Sequence, residues 1–196
     1  MANTSTMKKL VLLVKLTVLF LVVLECPVRS ATNIVSNGGF EQGGTGWGWT
    51  YNFGVSSGFP SAAEGRNWGE VYGTIYQDLS TLPEQLYHLH FALAGNFNIT
   101  NLAVVNVLWD GASLGSVSWN PAGHNINNLG WLAVDIDAIA GDSSTRLTFS
   151  DPYIGDGSGR IDRIDAISVM AVPEPSSLAL VGLIGLAVFK NRRSCS

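Results

Sequence analysis

Three large rings stand at alternate positions in Gly46-Trp47-Gly48-Trp49-Thr50-Tyr51, so an extended backbone would bring Trp47, Trp49 and Tyr51 to one face. Rings with polar edges suit a sugar, whose apolar C–H face stacks while its hydroxyls keep hydrogen-bond partners. Trp68, directly after Glu64-Gly65-Arg66-Asn67, and Trp119, beside Asn120-Pro121, sit at loop edges and join them as carbohydrate-binding candidates. The competing reading packs Trp47 or Trp49 inside, because a six-tryptophan chain must also fill a core; Trp109 and Trp131 are assigned there. His88 and His90 share one strand face, a geometry a metal could use, but no third ligand is in evidence and two solvent-facing histidines account for them. The loop Asp151-Pro152-Tyr153-Ile154-Gly155-Asp156-Gly157-Ser158-Gly159 is acidic and glycine-rich, and through Asp151 and Asp156 could wrap a structural calcium ion; a plain turn-rich loop is the alternative, and no other cofactor is implied. Arg160 and Arg163 are read as balancing the nearby Asp162 and Asp165. Asp135 and Asp137 alternate on one strand at a spacing a glycosidase pair would tolerate. No Gly-x-Ser-x-Gly elbow, zinc-protease helix or phosphate loop accompanies them, so catalytic residues are not expected.

The elements that must carry these residues are strands. Apolar residues recur with period two between Gly, Asn, Asp and Pro, and no sustained 3.6-residue period appears between Ala31 and Val172. In Leu86 to Leu93, Tyr87, Leu89, Phe91 and Leu93 fall on one face and His88 and His90 on the other. Further strands are expected at Val71 to Gln77, Leu102 to Trp109, Ser113 to Trp119, Trp131 to Ile139, Thr145 to Phe149 and Ile161 to Val169. Asp110-Gly111 supplies the positive φ of a tight hairpin. Seven or eight strands at this spacing predict an all-β chain, an antiparallel β-sandwich of about 140 residues (31-172).

Within Ala31 to Val172 there are 13 Asp and Glu against Arg66, Arg146, Arg160 and Arg163 and no lysine, a net charge of −9. Such a surface repels phosphate backbones, which excludes nucleic acid as a natural partner. Both cysteines, Cys26 and Cys195, lie outside this stretch, so its stability must come from core burial.

The ends read as addresses. Lys8 and Lys9 precede the apolar run Leu10 to Leu24, and Val28-Arg29-Ser30-Ala31 offers a cleavage site between Ser30 and Ala31. Residues 1-30 are therefore expected to be a secretory signal peptide taken by the Sec translocon, with a retained membrane anchor as the alternative. At the other end Pro173-Glu174-Pro175 forbids helix, Ser177 to Phe189 is an apolar run of 13 residues, and Lys190, Arg192 and Arg193 form a basic tail. As helix the run spans ~20 Å, short of a ~30 Å hydrocarbon core unless Lys190 snorkels to extend its reach; the resemblance named next implies that membrane residence through 177-189 is transient. Together, segment 173-196 strongly resembles the PEP-CTERM sorting signal. That resemblance implies an exosortase cutting near Pro-Glu-Pro in a Gram-negative bacterium that makes exopolysaccharide, the product reaching the cell surface or extracellular matrix. A permanent C-terminal anchor is the alternative.

The middle carries a second resemblance. Asn37-Gly38-Gly39-Phe40-Glu41 is similar to the opening of galactose-binding-like jelly rolls. Gly73-Thr74-Ile75-Tyr76-Gln77, Tyr87 to Phe91, Ala94-Gly95-Asn96, Gly130-Trp131, Thr145 to Phe149 and Ile164-Asp165-Ala166-Ile167-Ser168-Val169 follow in the order seen in one family. That family is the plant cell-wall proteins with tandem galactose-binding-like domains, together with bacterial choice-of-anchor C proteins. This chain departs from it in having one such domain and none of the cysteines common in plant members. The resemblance implies a jelly roll associated with polysaccharide. Three functions stand open: a non-catalytic carbohydrate-associating surface module; a structural matrix protein that binds proteins or itself; and, more remotely, a polysaccharide hydrolase using Asp135 and Asp137.

Overall fold

The computed structural model describes residues 31–58, 61–155 and 160–173. Within these, the alternating apolar pattern produces ten strands: β1 (Gly48–Thr50), β2 (Phe53–Ser57), β3 (Asn67–Val71), β4 (Thr74–Ser80), β5 (Leu86–Ala94), β6 (Ala103–Trp109), β7 (Ala112–Trp119), β8 (Leu132–Ile139), β9 (Ser144–Ser150) and β10 (Asp162–Ala171). They form two antiparallel five-stranded sheets, ordered β2-β3-β10-β5-β8 (sheet A) and β1-β4-β9-β6-β7 (sheet B). The fold is the antiparallel jelly-roll sandwich. Every strand and the whole core lie inside Ala31–Val172, which is one compact unit.

The period-two rows become the two inner faces. Leu89, Phe91 and Leu93 of sheet A face Ile75, Leu147 and Phe149 of sheet B, all fully buried. The Phe91 and Phe149 rings meet edge to face at 5.0 Å. Asp110 (φ 51) and Gly111 (φ 79) make the β6–β7 hairpin turn, as the dipeptide requires.

One expected strand is two. Val71 to Gln77 breaks at Tyr72–Gly73, where the chain leaves β3 in sheet A and enters β4 in sheet B. Gly73 permits the crossing: a Cβ there would stand 2.4 Å from the Thr50 carbonyl oxygen. The N-terminal segment runs back along β10, with Asn33 bridging Met170 and Ile34 N–H donating to Val169 O at 2.9 Å. Val172 N–H donates to Leu86 O at 2.9 Å. The polypeptide thus enters and leaves at the same end of the sandwich.

Candidate functional site: the loop end

The opposite end is built from three turns: Tyr51–Asn52 between β1 and β2, Tyr72–Gly73 between β3 and β4, and the connection from Asp151 to β10. Gly73 ties them together. Its carbonyl accepts from Asp151 N–H at 2.7 Å, its missing Cβ leaves room for Tyr51 (2.9 Å to that side chain's Cβ), and Tyr72 N–H donates to Asn52 O at 3.3 Å.

On this base stand the exposed rings. Tyr51 is 73% exposed and holds φ 71, a left-handed conformation that costs a non-glycine residue about 1 kcal/mol or more. Trp49 is 51% exposed and packs its ring 5.7 Å from Phe53, while Phe53 lies 5.7 Å from the buried Phe40, so an aromatic chain leads from core to surface. Tyr153, 42% exposed, has the Arg160 guanidinium 3.8 Å over its ring, and its N–H donates to Asp151 Oδ1 at 2.7 Å. An apolar face with charged and amide edges is what a sugar ring requires. Tyr153 and Arg160 escaped the sequence reading as binding residues; the signal available was an aromatic inside a glycine-rich loop.

The structure revises the other aromatic candidates. Trp47 is buried: its ring lies 5.7 Å from Phe40 and 6.3 Å from Phe149, and its Nε1–H donates to Asn37 O at 3.2 Å. The exposed row expected of Trp47, Trp49 and Tyr51 loses Trp47 to the core, and Tyr51 stands beyond the three-residue β1 at positive φ. Trp68 and Trp119, expected at the surface, are 2% and 3% exposed and are corrected to buried positions. Trp119 Nε1–H donates to Gly130 O at 2.8 Å and its ring stacks on His124 at 4.9 Å. Trp68 lies on the outer face of sheet A, where Nε1–H donates to Glu70 Oε1 at 3.3 Å. Trp109 is buried as expected, whereas Trp131 is half-buried and donates to Ser61 O at 2.9 Å.

His88 and His90 face solvent across from β8 but have carboxylate partners there. His88 Nδ1 lies 2.8 Å from Asp137 Oδ1, His88 Nε2 3.1 Å from Asp135 Oδ1, and His90 Nδ1 2.8 Å from the same oxygen. The bond with Asp137, then that with Asp135, raises the His88 pKa, and the bond with His90 holds Asp135 below the usual carboxylate range. The two acids considered as a glycosidase pair are thus both engaged with imidazoles. Among the described residues no group of three or more His, Cys, Asp or Glu is arranged to hold a metal ion. Asp151, of the calcium expectation, is buried and closes a turn onto Tyr153; Asp156 lies outside the described residues.

Arg163 does not balance Asp162 and Asp165 as expected. It reaches across the outer face of sheet A to Glu70 (Nε to Oε1, 3.5 Å). Asp165 instead accepts N–H bonds from Ala63 (2.8 Å), Glu64 (2.9 Å) and Ala166 (2.7 Å), and burial nonetheless pushes its carboxyl up to about 6. Of the terminal residues expected to be cleaved or to direct sorting, Ala31 and Pro173 are exposed at the ends of the described residues; Ser30, Glu174, Pro175, the apolar run 177-189, Lys190, Arg192 and Arg193 lie outside them.

Residues 171–194 match the PEP-CTERM protein-sorting motif. The chain carries a PEP-CTERM sorting signal. It is accordingly an exported protein directed to the cell surface. The sandwich ahead of the signal is similar to the xylan-binding domain CBM22-1 of Xyn10C from Paenibacillus barcinonensis, at 13% identity and TM-score 0.51, covering 74% of this chain and 97% of that one. It is also similar to the module TmCBM61, solved with β-1,4-galactotriose, at 18% identity and TM-score 0.50, covering 72% and 99% respectively. At these identities the likeness shows the fold. By sequence, 144 residues are 29% identical to a multifunctional-autoprocessing repeats-in-toxin protein of Vibrio vulnificus, covering 67% of this chain; the match spans 3% of that protein's length.

Proposed function

We propose that the domain bearing the PEP-CTERM signal is a non-catalytic, carbohydrate-associating module of the surface or matrix of a Gram-negative bacterium. The observation that carries this reading is the exposure of three rings, Trp49, Tyr51 and Tyr153, on segments at or beside the turns of the end opposite Val172. The xylan-binding and galactotriose-bound relatives in fold support the same class of ligand.

Affinity electrophoresis of Ala31–Val172 in xylan, β-1,4-galactan and the host's own exopolysaccharide tests it. Retardation is expected on at least one polymer. The pair Trp49→Ala with Tyr51→Ala should weaken it by about 2 kcal/mol, roughly 30-fold, while lowering the melting temperature by only a few degrees. Free migration in every polymer removes the reading, and retardation untouched by the pair moves the sugar off the loop end.

Export through Sec and exosortase cleavage belong to the same proposal. Pro173-Glu174-Pro175 would be the cut site. Mass spectrometry of the protein recovered from its host should find a new C-terminus near these residues and a mature N-terminus at Ala31. An intact Ser196 on the surface product would mean permanent anchoring.

A further inference from the structure

The charge of the domain is unevenly placed along its length. Glu84, Asp110 and Asp142, all exposed, stand in the β4–β5, β6–β7 and β8–β9 turns at the chain-exit end, where Glu84 N–H donates to Ala140 O at 2.8 Å. Two further loops reach the opposite end. β5 leaves Leu86, bonded to Val172, and runs up to Ala94; β8 begins beside it, with Leu132 paired to Leu93. The β5–β6 loop (95–102) and the β7–β8 loop (120–131) therefore belong to the loop end. Neither contains Asp, Glu, Lys or Arg, and neither do the Tyr51–Asn52 and Tyr72–Gly73 turns, inside a domain of net charge −9.

Asparagine stands where charge is missing. Asn98 and Asn101 in the first loop, and Asn120, Asn125, Asn127 and Asn128 in the second, are all exposed. The two loops are held in shape. Gly95 lies against the second loop's root, where a Cβ would stand 2.9 Å from Trp119 Cε3, and Asn98 N–H donates to Asn96 Oδ1 at 3.0 Å. Asn125 and Asn128 exchange backbone bonds of 3.0 Å, and Asn127 N–H donates to Asn125 Oδ1 at 2.9 Å, which puts Ile126-Asn127 at the tip of a closed turn.

Resting on the carbohydrate reading above, we propose that the loop end takes an uncharged polysaccharide, whose hydroxyls are bound by the asparagine amides of these two loops. An amide has an acceptor and two donors, which matches a hydroxyl that both gives and takes. Drawing it out of water against a sugar also costs far less than doing so to an ion. An anionic chain would call for guanidinium or ammonium groups. The loop end has Arg160, whose guanidinium already lies 3.8 Å over the Tyr153 ring, and the −9 field opposes such a chain's approach. A cationic chain would call for exposed carboxylates. Asp151 and Asp162 are buried and accept from Tyr153 N–H (2.7 Å) and Val104 N–H (3.1 Å), so the field would draw a cation to the acids of the exit end instead. What remains is a neutral chain.

Retention of Ala31–Val172 on unsubstituted xylan, β-1,4-galactan, polygalacturonate, and the neutral and acidic fractions of the host's own exopolysaccharide tests this at about 0.1 M and about 1 M salt. Retention is expected on at least one neutral polymer, equal at both salts, and on no acidic one. At about 1 M salt the screening length falls to about 3 Å, so exclusion of acidic chains that persists there reports the site rather than the field of the whole domain. The pair Asn98→Asp with Asn127→Asp, nearly isosteric and exposed, should weaken neutral-polymer retention by about tenfold or more, whereas Glu84→Gln with Asp142→Asn at the exit end should leave it unchanged. In the unaltered protein the side-chain NH2 resonances of Asn98 and Asn127 should shift as neutral oligosaccharide is added, which decides the matter should the aspartate variant fail to fold. Retention on acidic polymers, at either salt, overturns the uncharged class and leaves the carbohydrate reading standing. Neutral retention that the aspartates leave intact, or NH2 resonances that stay put, overturns the role of the amides. No retention on any polymer defeats both readings together.

Discussion

Phe40→Ala should lower the unfolding free energy of the domain by about 3–5 kcal/mol. Against a total of about 5–15 kcal/mol for a domain, that is a large fraction. Phe40 is fully buried and sits where the two sheets meet the N-terminal segment: its ring lies 5.7 Å from Trp47 and 5.7 Å from Phe53. Its ring also covers Gly69 in β3, where a Cβ would stand 2.8 Å from Phe40 Cζ. Truncation opens a cavity beside two rigid aromatic neighbours, Trp47 and Phe53, and the left-handed backbone at Phe40 (φ 55), fixed by Phe40 N–H to Asn37 O at 3.1 Å, prevents the segment from collapsing inward. Urea unfolding of Ala31–Val172 reads the effect as a fall in midpoint at constant slope. Trp49→Ala, at the exposed end of the same aromatic chain, should cost only about 0.5 kcal/mol. Equal losses at both positions would contradict the assignment of Phe40 to the core and Trp49 to the surface.

That prediction gives the Asn37-Gly38-Gly39-Phe40-Glu41 opening a physical meaning. Asn37 Nδ2 donates to Gly43 O at 2.8 Å and Thr45 O at 2.9 Å, and its Oδ1 accepts from Gln42 N–H at 3.0 Å. Gly38 lies against β10 so closely that a Cβ would fall 1.9 Å from Ile167 O. Glu41 Oε1 accepts from Arg66 N–H (2.6 Å) and Asn67 N–H (2.9 Å), and those two bonds hold its carboxyl below its ordinary pKa. The motif clamps the start of the domain to β3 and β10 of sheet A. It carries the fold and contributes no exposed ring to the loop end.

The strands were legible where alternation is long and its turn dipeptide explicit, as in β5 and in the hairpin at Asp110-Gly111. Val71 to Gln77 read as one strand because alternation continues through Tyr72; only Gly73's contact with Thr50, remote in sequence until the fold brings it close, reveals the crossing. Exposure of tryptophans was harder. Trp68 follows a polar, glycine-containing stretch and so reads as surface, but Asp165 draws the Ala63–Glu64 backbone onto the outer face of sheet A beside it. A neighbour 102 residues away in sequence leaves no local pattern. The jelly roll came from motif order, and the loop end as a site came from three turns whose adjacency is purely tertiary.

What the sequence did offer unread was Trp68-x-Glu70-x-Tyr72, three residues at strand spacing that must share a face. On that face Glu70 takes Tyr72 O–H at 3.1 Å on Oε2 and Trp68 Nε1–H at 3.3 Å on Oε1, and Arg163 approaches Oε1 from β10. Burial, and then the Glu70 charge, pushes the Tyr72 phenol up to about 12, while burial of Arg163 lowers its pKa with Glu70 opposing. Arg163 is largely buried and also donates from Nη1 to Gly95 O, so it joins β3, β10 and the end of β5. Arg163→Met should therefore cost about 3–5 kcal/mol, since it leaves a carboxylate enclosed by Trp68 and Tyr72 without its cation. Adding Glu70→Gln in that background should return about 1–3 kcal/mol, because the amide oxygen can still accept from Trp68 Nε1–H while its NH2 donates to the Tyr72 hydroxyl, and the stranded charge is gone. Strictly additive losses in the cycle would instead assign Arg163's contribution to Gly95 O and make the Glu70 pair incidental.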